Sequence, residues 1–449
     1  MAAPPTGTPG PGGRPVVYLH IGAAKSGTTF LQNVLWHNRD RLREHGVLYP
    51  GRDDAAHVRA AFDLRETFFR GASDPLVPGA WPDLVAQARA WPGTTLISQE
   101  LFAPALRRHV ARALDDLGFA DVHLIFTVRD LARQIPAHWQ EDVKNRFTTS
   151  FSDFTAALRR KDRNSVKVAR LFWGLQDPID VLGRWGEHLP AENVHLVTLP
   201  RPGAPRDLLW KRFCHVVGVP PESFDLGAPF ANPSLGLPEA QLLRRLNASL
   251  DQATSDWHFY NDEVKHHLAQ DVLGGRTDSP RIRLPAEDRV WAAEQAAETI
   301  RALREAGYDV TGDLEELRPS PSADGGRHPD DPDWAGIADA GGDVVEALLR
   351  RIADSEAELA RLPAGVGTRK ADQIELLRAD ITHLQNRIDR LHAGTAPLVR
   401  RAARALSERH PAAARLREAY WRLQSASPRD GAPGPRDTAP TAAEETKTR

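Results

Sequence analysis

The 449-residue sequence holds one cysteine, Cys214, which excludes an intramolecular disulfide framework and a cysteine-based zinc site. Cys214 stands in an apolar stretch, Leu208–Val217, and reads as a small core residue rather than a nucleophile. Long hydrophobic runs are absent too: none approaches the roughly 20 apolar residues that a membrane-spanning helix needs. The opening stretch MAAPPTGTPGPGGRP has neither the basic nor the apolar segment of a secretory signal. The expectation is a flexible leader over residues 1–14 and a cytoplasmic protein. Charge of one sign is lacking as well. With a net charge of −2, nothing global draws the chain to nucleic acid or an anionic membrane, so any anion site has to be local.

What is present is alternation. Residues 16–21, 94–98, 121–128 and 193–199 are rich in β-branched and apolar side chains and predict strands. Helical spacing follows the first three over 28–44, 103–117 and a segment reaching Asn145, and follows the fourth over 207–217. Strands alternating with helices predict an α/β domain over residues 15–318, a parallel sheet with helices on both faces. Pro136 predicts that the third helix starts or bends there. Residues 319–342 are rich in Pro, Gly and Asp and read as a linker. Residues 343–424 read as a helical or coiled-coil region. Val345, Leu348, Ile352, Leu359 and Leu362 form one heptad pattern, and Ile374, Leu377, Ile381, Leu384, Ile388 and Leu391 form another. A hairpin folding back on the main domain and a coil joining two copies through 343–392 both fit that pattern. Residues 425–449 read as a disordered tail.

The chemistry concentrates after the first strand, in His20-Ile21-Gly22-Ala23-Ala24-Lys25-Ser26-Gly27-Thr28-Thr29-Phe30-Leu31. Strand, glycine-containing turn and helix start follow one another, an order that leaves amides unpaired at the positive end of a helix dipole. That is a cradle for phosphate or sulfate. Gly22, Ala23, Ala24 and Gly27 let the backbone close on an anion, and Thr28 and Thr29 add hydroxyls. Gly22 and Gly27 have the spacing of the nucleoside-triphosphate loop G-x-x-x-x-G-K-[ST], yet Thr28 holds the lysine position and the lysine lies inside, at Lys25.

Lys25-Ser26-Gly27-Thr28-Thr29 resembles the K-x-G-T-T loop of the sulfotransferase family. The resemblance covers roughly residues 16–310 in layout and is specific in this loop alone. It implies a P-loop-like fold with 3′-phosphoadenosine 5′-phosphosulfate as co-substrate. Lys25 would meet the bridging oxygen of the phosphosulfate, and Gly22, Ser26, Gly27, Thr28 and Thr29 would hold the 5′-phosphate. No metal is expected, because a transferring sulfuryl group carries less negative charge than the phosphoryl group that leans on Mg²⁺.

Ligands of open α/β sheets lie beyond the carboxyl ends of the strands, and two further strand ends carry polar groups. Glu100 falls where sulfotransferases acting on sugars place the base that deprotonates the acceptor; its other reading is a first-turn acid favoured by a helix dipole. Arg129 offers a fork suited to phosphate. The resemblance assigns it to the 3′-phosphate, together with a serine eight positions on and a proline after the following Asp or Asn. Here those positions hold Ala137 and Leu131, and Gln134 and His138 are the nearby donors expected to substitute. Arg133 reads as solvated or paired with an acid, and His20 as a buried core histidine. Ser234 falls where the family has a loop over the nucleotide and joins the expected cofactor-binding set. Trp257-His258-Phe259-Tyr260 fits either a stacking surface for the acceptor or a buried aromatic cluster.

The expected function is sulfuryl transfer to a hydroxyl or amine of a glycan, lipid or metabolite, with no nucleic acid partner. A P-loop-type nucleotide kinase with a displaced lysine stays open beside it. So does a non-catalytic sulfotransferase-like scaffold with a coiled-coil tail.

Overall fold

A computed structural model describes residues 13–68, 74–227, 234–250, 256–320 and 326–361. Runs such as Val16-Val17-Tyr18-Leu19-His20 take extended backbone because β-branched and aromatic side chains pack well on a pleated surface. Six strands result: β1 (Val16–His20), β2 (Val47–Leu48), β3 (Thr94–Ser98), β4 (Asp121–Val128), β5 (Val194–Thr198) and β6 (Asp309–Thr311). They form one sheet in the order β2-β3-β1-β4-β5-β6, every neighbouring pair parallel. The parallel α/β architecture is therefore present. β2 and β6 are additional to the expected strands; at two and three residues they are too short for any alternation to register.

β1 lies between β3 and β4, so the chain crosses to one side of it and then to the other. Such a switch point opens a crevice at the carboxyl ends of the strands. Val17 and Leu19 pack into a core with Trp81, Phe102 and Trp185. Tyr18 and Ile125 pack into the opposite one with Leu31, Trp210 and Phe213, as the two-residue period of a strand requires. Each fully buried Leu or Phe adds roughly 1.5–3 kcal/mol by leaving water. Cys214 belongs to this second core, its thiol pushed up by burial.

A third cluster off the sheet gathers Ile135, Trp139, Phe151, Phe154, Phe172 and Tyr260. The Leu131–Lys144 helix contributes to it while hanging from the end of β4. That helix does not start at Pro136: Asp130 caps it, accepting from the Arg133 amide at 3.0 Å, and it runs on through the proline. The single helix expected over 28–44 is two, Thr28–His37 and Arg39–Glu44. Asn38 divides them, its Nδ2 donating to Val34 O and to Asp225 O, each at 2.8 Å, in competition with helical pairing.

The span expected as a linker, 319–342, carries structure in its second half. The Asp330 carboxylate accepts from the amides of Phe151 and Ser152 at 2.8 Å each, and a helix runs over Trp334–Ala360. The first heptad pattern as far as Leu359 lies on this helix. Leu362, the second pattern over 374–391, the segment 397–424 and the tail 425–449 lie outside the described residues, as do residues 1–12. The chain divides into two compact units at Asp354; the sheet and the site belong to the first, and of the second only residues 355–361 are described. Among the described residues no helix is long and apolar enough to cross a membrane.

Candidate active site

The backbone between β1 and the Thr28–His37 helix turns through three left-handed residues, Gly22 (φ 140°), Lys25 (φ 61°) and Gly27 (φ 91°). Gly27 has to be glycine: a Cβ there would collide with Leu209 and lie 3.3 Å from Leu199. Lys25 takes the same region without being glycine, a strain that surrounding structure must hold and that clusters at functional sites. Among the described residues, the amides of Ala24, Lys25, Gly27, Thr28 and Thr29 donate no backbone hydrogen bond. These five donors collect at the start of a helix whose cap, Gly27, has no side chain to satisfy them.

The hydroxyls divide. Thr28 is buried and Thr29 exposed. Ser26 is buried too, its Oγ bonded to Ala23 O and to Thr127 Oγ1. This hydroxyl fastens the loop to β4, so the cofactor contact expected of Ser26 is left to its backbone.

The loop is held by its carbonyls. Arg129 Nη1 donates to Lys25 O at 2.8 Å, and Gln134 Nε2 donates to Ala24 O. Burial pushes the Arg129 guanidinium down to about 10, with Arg133 adding to the effect and Asp130 opposing it. Arg129 Nε has no hydrogen-bond partner among the described residues. Arg133 is paired with Asp130 and also donates to Pro200 O at 3.1 Å. Gln134 and His138, expected to replace the missing serine, are committed elsewhere. Both are buried in a chain that links Gln134 to Gln176 and Gln176 Nε2 to His138 Nδ1 at 3.2 Å. Burial also lowers His138 to about 4.

The Lys25 ammonium meets a carboxylate the sequence reading did not single out. Its Nζ donates to Glu141 Oε2 at 2.9 Å, with the two side chains 22% and 25% exposed. Lys265 Nζ stands 3.6 Å from the other Glu141 oxygen and donates to Asn145 Oδ1 at 2.7 Å. Burial alone would raise the Glu141 carboxyl, but Lys25, Lys265 and Lys144 together hold it well below the usual carboxylate range. Burial lowers Lys144 to about 8, Glu141 opposing and the other two lysines reinforcing. Glu141 was findable: it lies one helical turn after Ala137, on the same face. Lys265 was not. It comes from the distant helical segment Tyr260–Val272, where hydrogen bonds such as Leu273 N to Leu268 O reach five residues back.

Glu100 opens a short 3₁₀ turn, Glu100–Phe102, directly after β3. Gln32 Nε2, on the helix that starts at the loop, donates to Glu100 Oε2 at 2.8 Å. Glu100 is thereby tied to the loop's own helix, though not to Lys25. Ser234 is exposed and makes no hydrogen bond to the loop among the described residues. His20 is fully buried, its Nδ1 2.7 Å from Ser98 Oγ, and burial lowers it to about 3. In the aromatic patch, Tyr260 is fully buried against Trp257 and donates to Asn247 Oδ1 at 2.7 Å, a structural use.

No protein-family model, curated protein or solved structure matches the chain.

Proposed function

We propose that the chain transfers a sulfuryl group from 3′-phosphoadenosine 5′-phosphosulfate to a hydroxyl or amine, on a P-loop-like sulfotransferase fold. The observation that carries this reading is a loop of five unpaired amides with its lysine inside the turn rather than after it. Peptide dipoles at a helix start attract the 5′-phosphate. Lys25, released from Glu141, neutralises charge on the leaving oxygen. Glu100 takes the acceptor's proton as the acceptor atom bonds to sulfur. The bridging S–O bond breaks, and its electron pair stays with the 5′-phosphate beside Lys25. A positioned base of this kind contributes typically ~10²–10⁴-fold. Arg129 is assigned to the 3′-phosphate through the edge of its guanidinium not spent on Lys25 O. The acceptor class, a glycan, glycolipid or small metabolite, rests on the sulfotransferase resemblance of Glu100's position.

Calorimetric titration tests the reading. Adenosine 3′,5′-bisphosphate should bind without Mg²⁺ and far more tightly than ADP; ATP binding that needs Mg²⁺ would make the chain a nucleotide kinase instead. Ala137, which removes a hydroxyl from the 3′-phosphate end, favours the scaffold reading. Turnover of radiolabelled donor against a panel of hydroxyl and amine acceptors, lost in Glu100→Gln with the fold intact, rules that reading out.

A further inference from the structure

A cavity of about 250 Å³ lies beside the loop, walled by Ala23, Arg129 and Gln134 and by residues of three further helices, among them Trp173, Ile179, Thr299 and Arg301. At ~30 Å³ per liquid water, that is room for about eight waters or one small organic molecule. Neither Lys25, Glu141 nor Glu100 lines it.

Its charges do not cancel. Three arginines line it against two acids, which leaves one positive charge over. Asp177 is spent on Arg163 at 2.8 Å and on the amides of Ile179 and Asp180. Arg163 in turn lies over the Trp173 ring at 4.1 Å. Arg301 is exposed and has no hydrogen bond or ion pair among the described residues. Arg129 Nε, a donor, is buried without a partner. A buried polar atom left unpaired is costly, and a bound ligand relieves that cost. The rest of the wall mixes apolar groups, Val128, Leu131 and Leu317 among them, with the side chains of Gln176, Gln295, Glu298 and Thr299. Guanidinium groups in excess over carboxylates, beside an apolar stretch of wall, suit an anion with an apolar body.

We propose that this cavity is a second ligand site, for a small organic anion of the aryl phosphate or aryl carboxylate kind, and that its occupant acts on the loop. The link is already built: Arg129 and Gln134, which wall the cavity, are the side chains that hold Lys25 O and Ala24 O. An anion that draws Arg129 toward the cavity takes it from the donor. Occupancy follows from the lining alone; the effect on donor binding rests on the sulfotransferase reading of the loop.

Phenyl phosphate is the probe, with benzyl alcohol as its uncharged counterpart, titrated into the full chain and into Arg301→Ala. Phenyl phosphate should bind the full chain and lose about tenfold or more in affinity in the variant, as expected for a lost charged hydrogen bond. Benzyl alcohol should not saturate either protein. Adenosine 3′,5′-bisphosphate should bind Arg301→Ala as tightly as the unaltered chain. Saturating phenyl phosphate should weaken that binding about fivefold in the unaltered chain and leave it unchanged in the variant, since coupling between two sites is reciprocal. Undiminished phenyl phosphate binding in Arg301→Ala would put the anion elsewhere and overturn the site. Equal losses of both ligands would make the cavity part of the donor's own pocket, and equal binding of benzyl alcohol would make it merely apolar; either result also overturns it. A bisphosphate that fails to bind sinks the sulfotransferase reading, while the phenyl phosphate titration still decides the cavity.

Discussion

The segments after β3 and β4 each bring a glutamate to a flank of the loop, and the two lie in opposite surroundings. Glu100 receives a neutral amide, Gln32, at 2.8 Å. Glu141 receives an ammonium, Lys25, at 2.9 Å, with Lys265 at 3.6 Å. A carboxylate beside several ammonium groups holds its charge and gives up its affinity for protons. Glu141 can therefore anchor a lysine but serves poorly as a base. Glu100, with no ion pair among the described residues, is the acid to which we assign the proton in the proposed transfer. The same residue type meets opposite surroundings according to what the fold sets beside it.

That contrast can be broken by experiment. The largest effect is expected from Glu100→Gln, a loss of ~10²–10⁴-fold in turnover with the bisphosphate still bound. Initial rates with radiolabelled donor measure it. Lys25→Ala should cost ~10²–10³-fold, the usual loss for a donor aimed at developing negative charge. Glu141→Gln should behave differently. It removes a carboxylate that competes for Lys25, so adenosine 3′,5′-bisphosphate should bind a few-fold more tightly by calorimetry, within the ~0.2–1 kcal/mol of a partly exposed pair. If Glu141→Gln proves as silent in turnover as Glu100→Gln, the roles of the two acids are reversed.

Acidity sharpens the contrast from another side. Burial lowers His20 to about 3, and His57 and His138 to about 4. The unfolded chain takes up protons on these histidines near pH ~6.5, and the folded chain does so only well below that. Stability should thus be complete above pH ~6.5 and fall as pH drops from there toward 4, read as a lower urea midpoint at pH 5 than at pH 8. The Glu141 cluster adds to the loss at lower pH. Its contribution is present above the ordinary glutamate value near 4.3 and declines as pH falls toward its depressed folded value. Urea melts of Glu141→Gln should therefore lie closer to the parent curve at pH 3 than at pH 7.

Much of the scaffold was legible in the sequence because its central strands are rich in β-branched and apolar side chains, and the few polar ones among them, such as Thr94, Thr95 and Thr127, are themselves buried and strand-favouring. The loop was legible because glycine and lysine spacing encodes a backbone shape. The short edge strands were not, since two or three residues carry no period. The direction of the Ser26 hydroxyl was not legible for a related reason: a hydroxyl in a phosphate-type loop points either way, and only the packing of Thr127 on β4 turns this one inward. Gln134 and His138 looked like available donors because sequence does not reveal Gln176, which engages both. Lys265 lies 120 residues from its partner Asn145, and only the tertiary fold brings them together.

The position of β1 has one more consequence. β3 and β4 are second neighbours across it, and parallel strands are spaced about 4.8 Å apart, so groups hung from their ends start about 10 Å apart. The sheet works as a gauge: interstrand spacing fixes the gap between the two flanks of the crevice. Molecules of different thickness are then admitted by the reach of the side chains alone, and the span itself stays constant however the loops are altered.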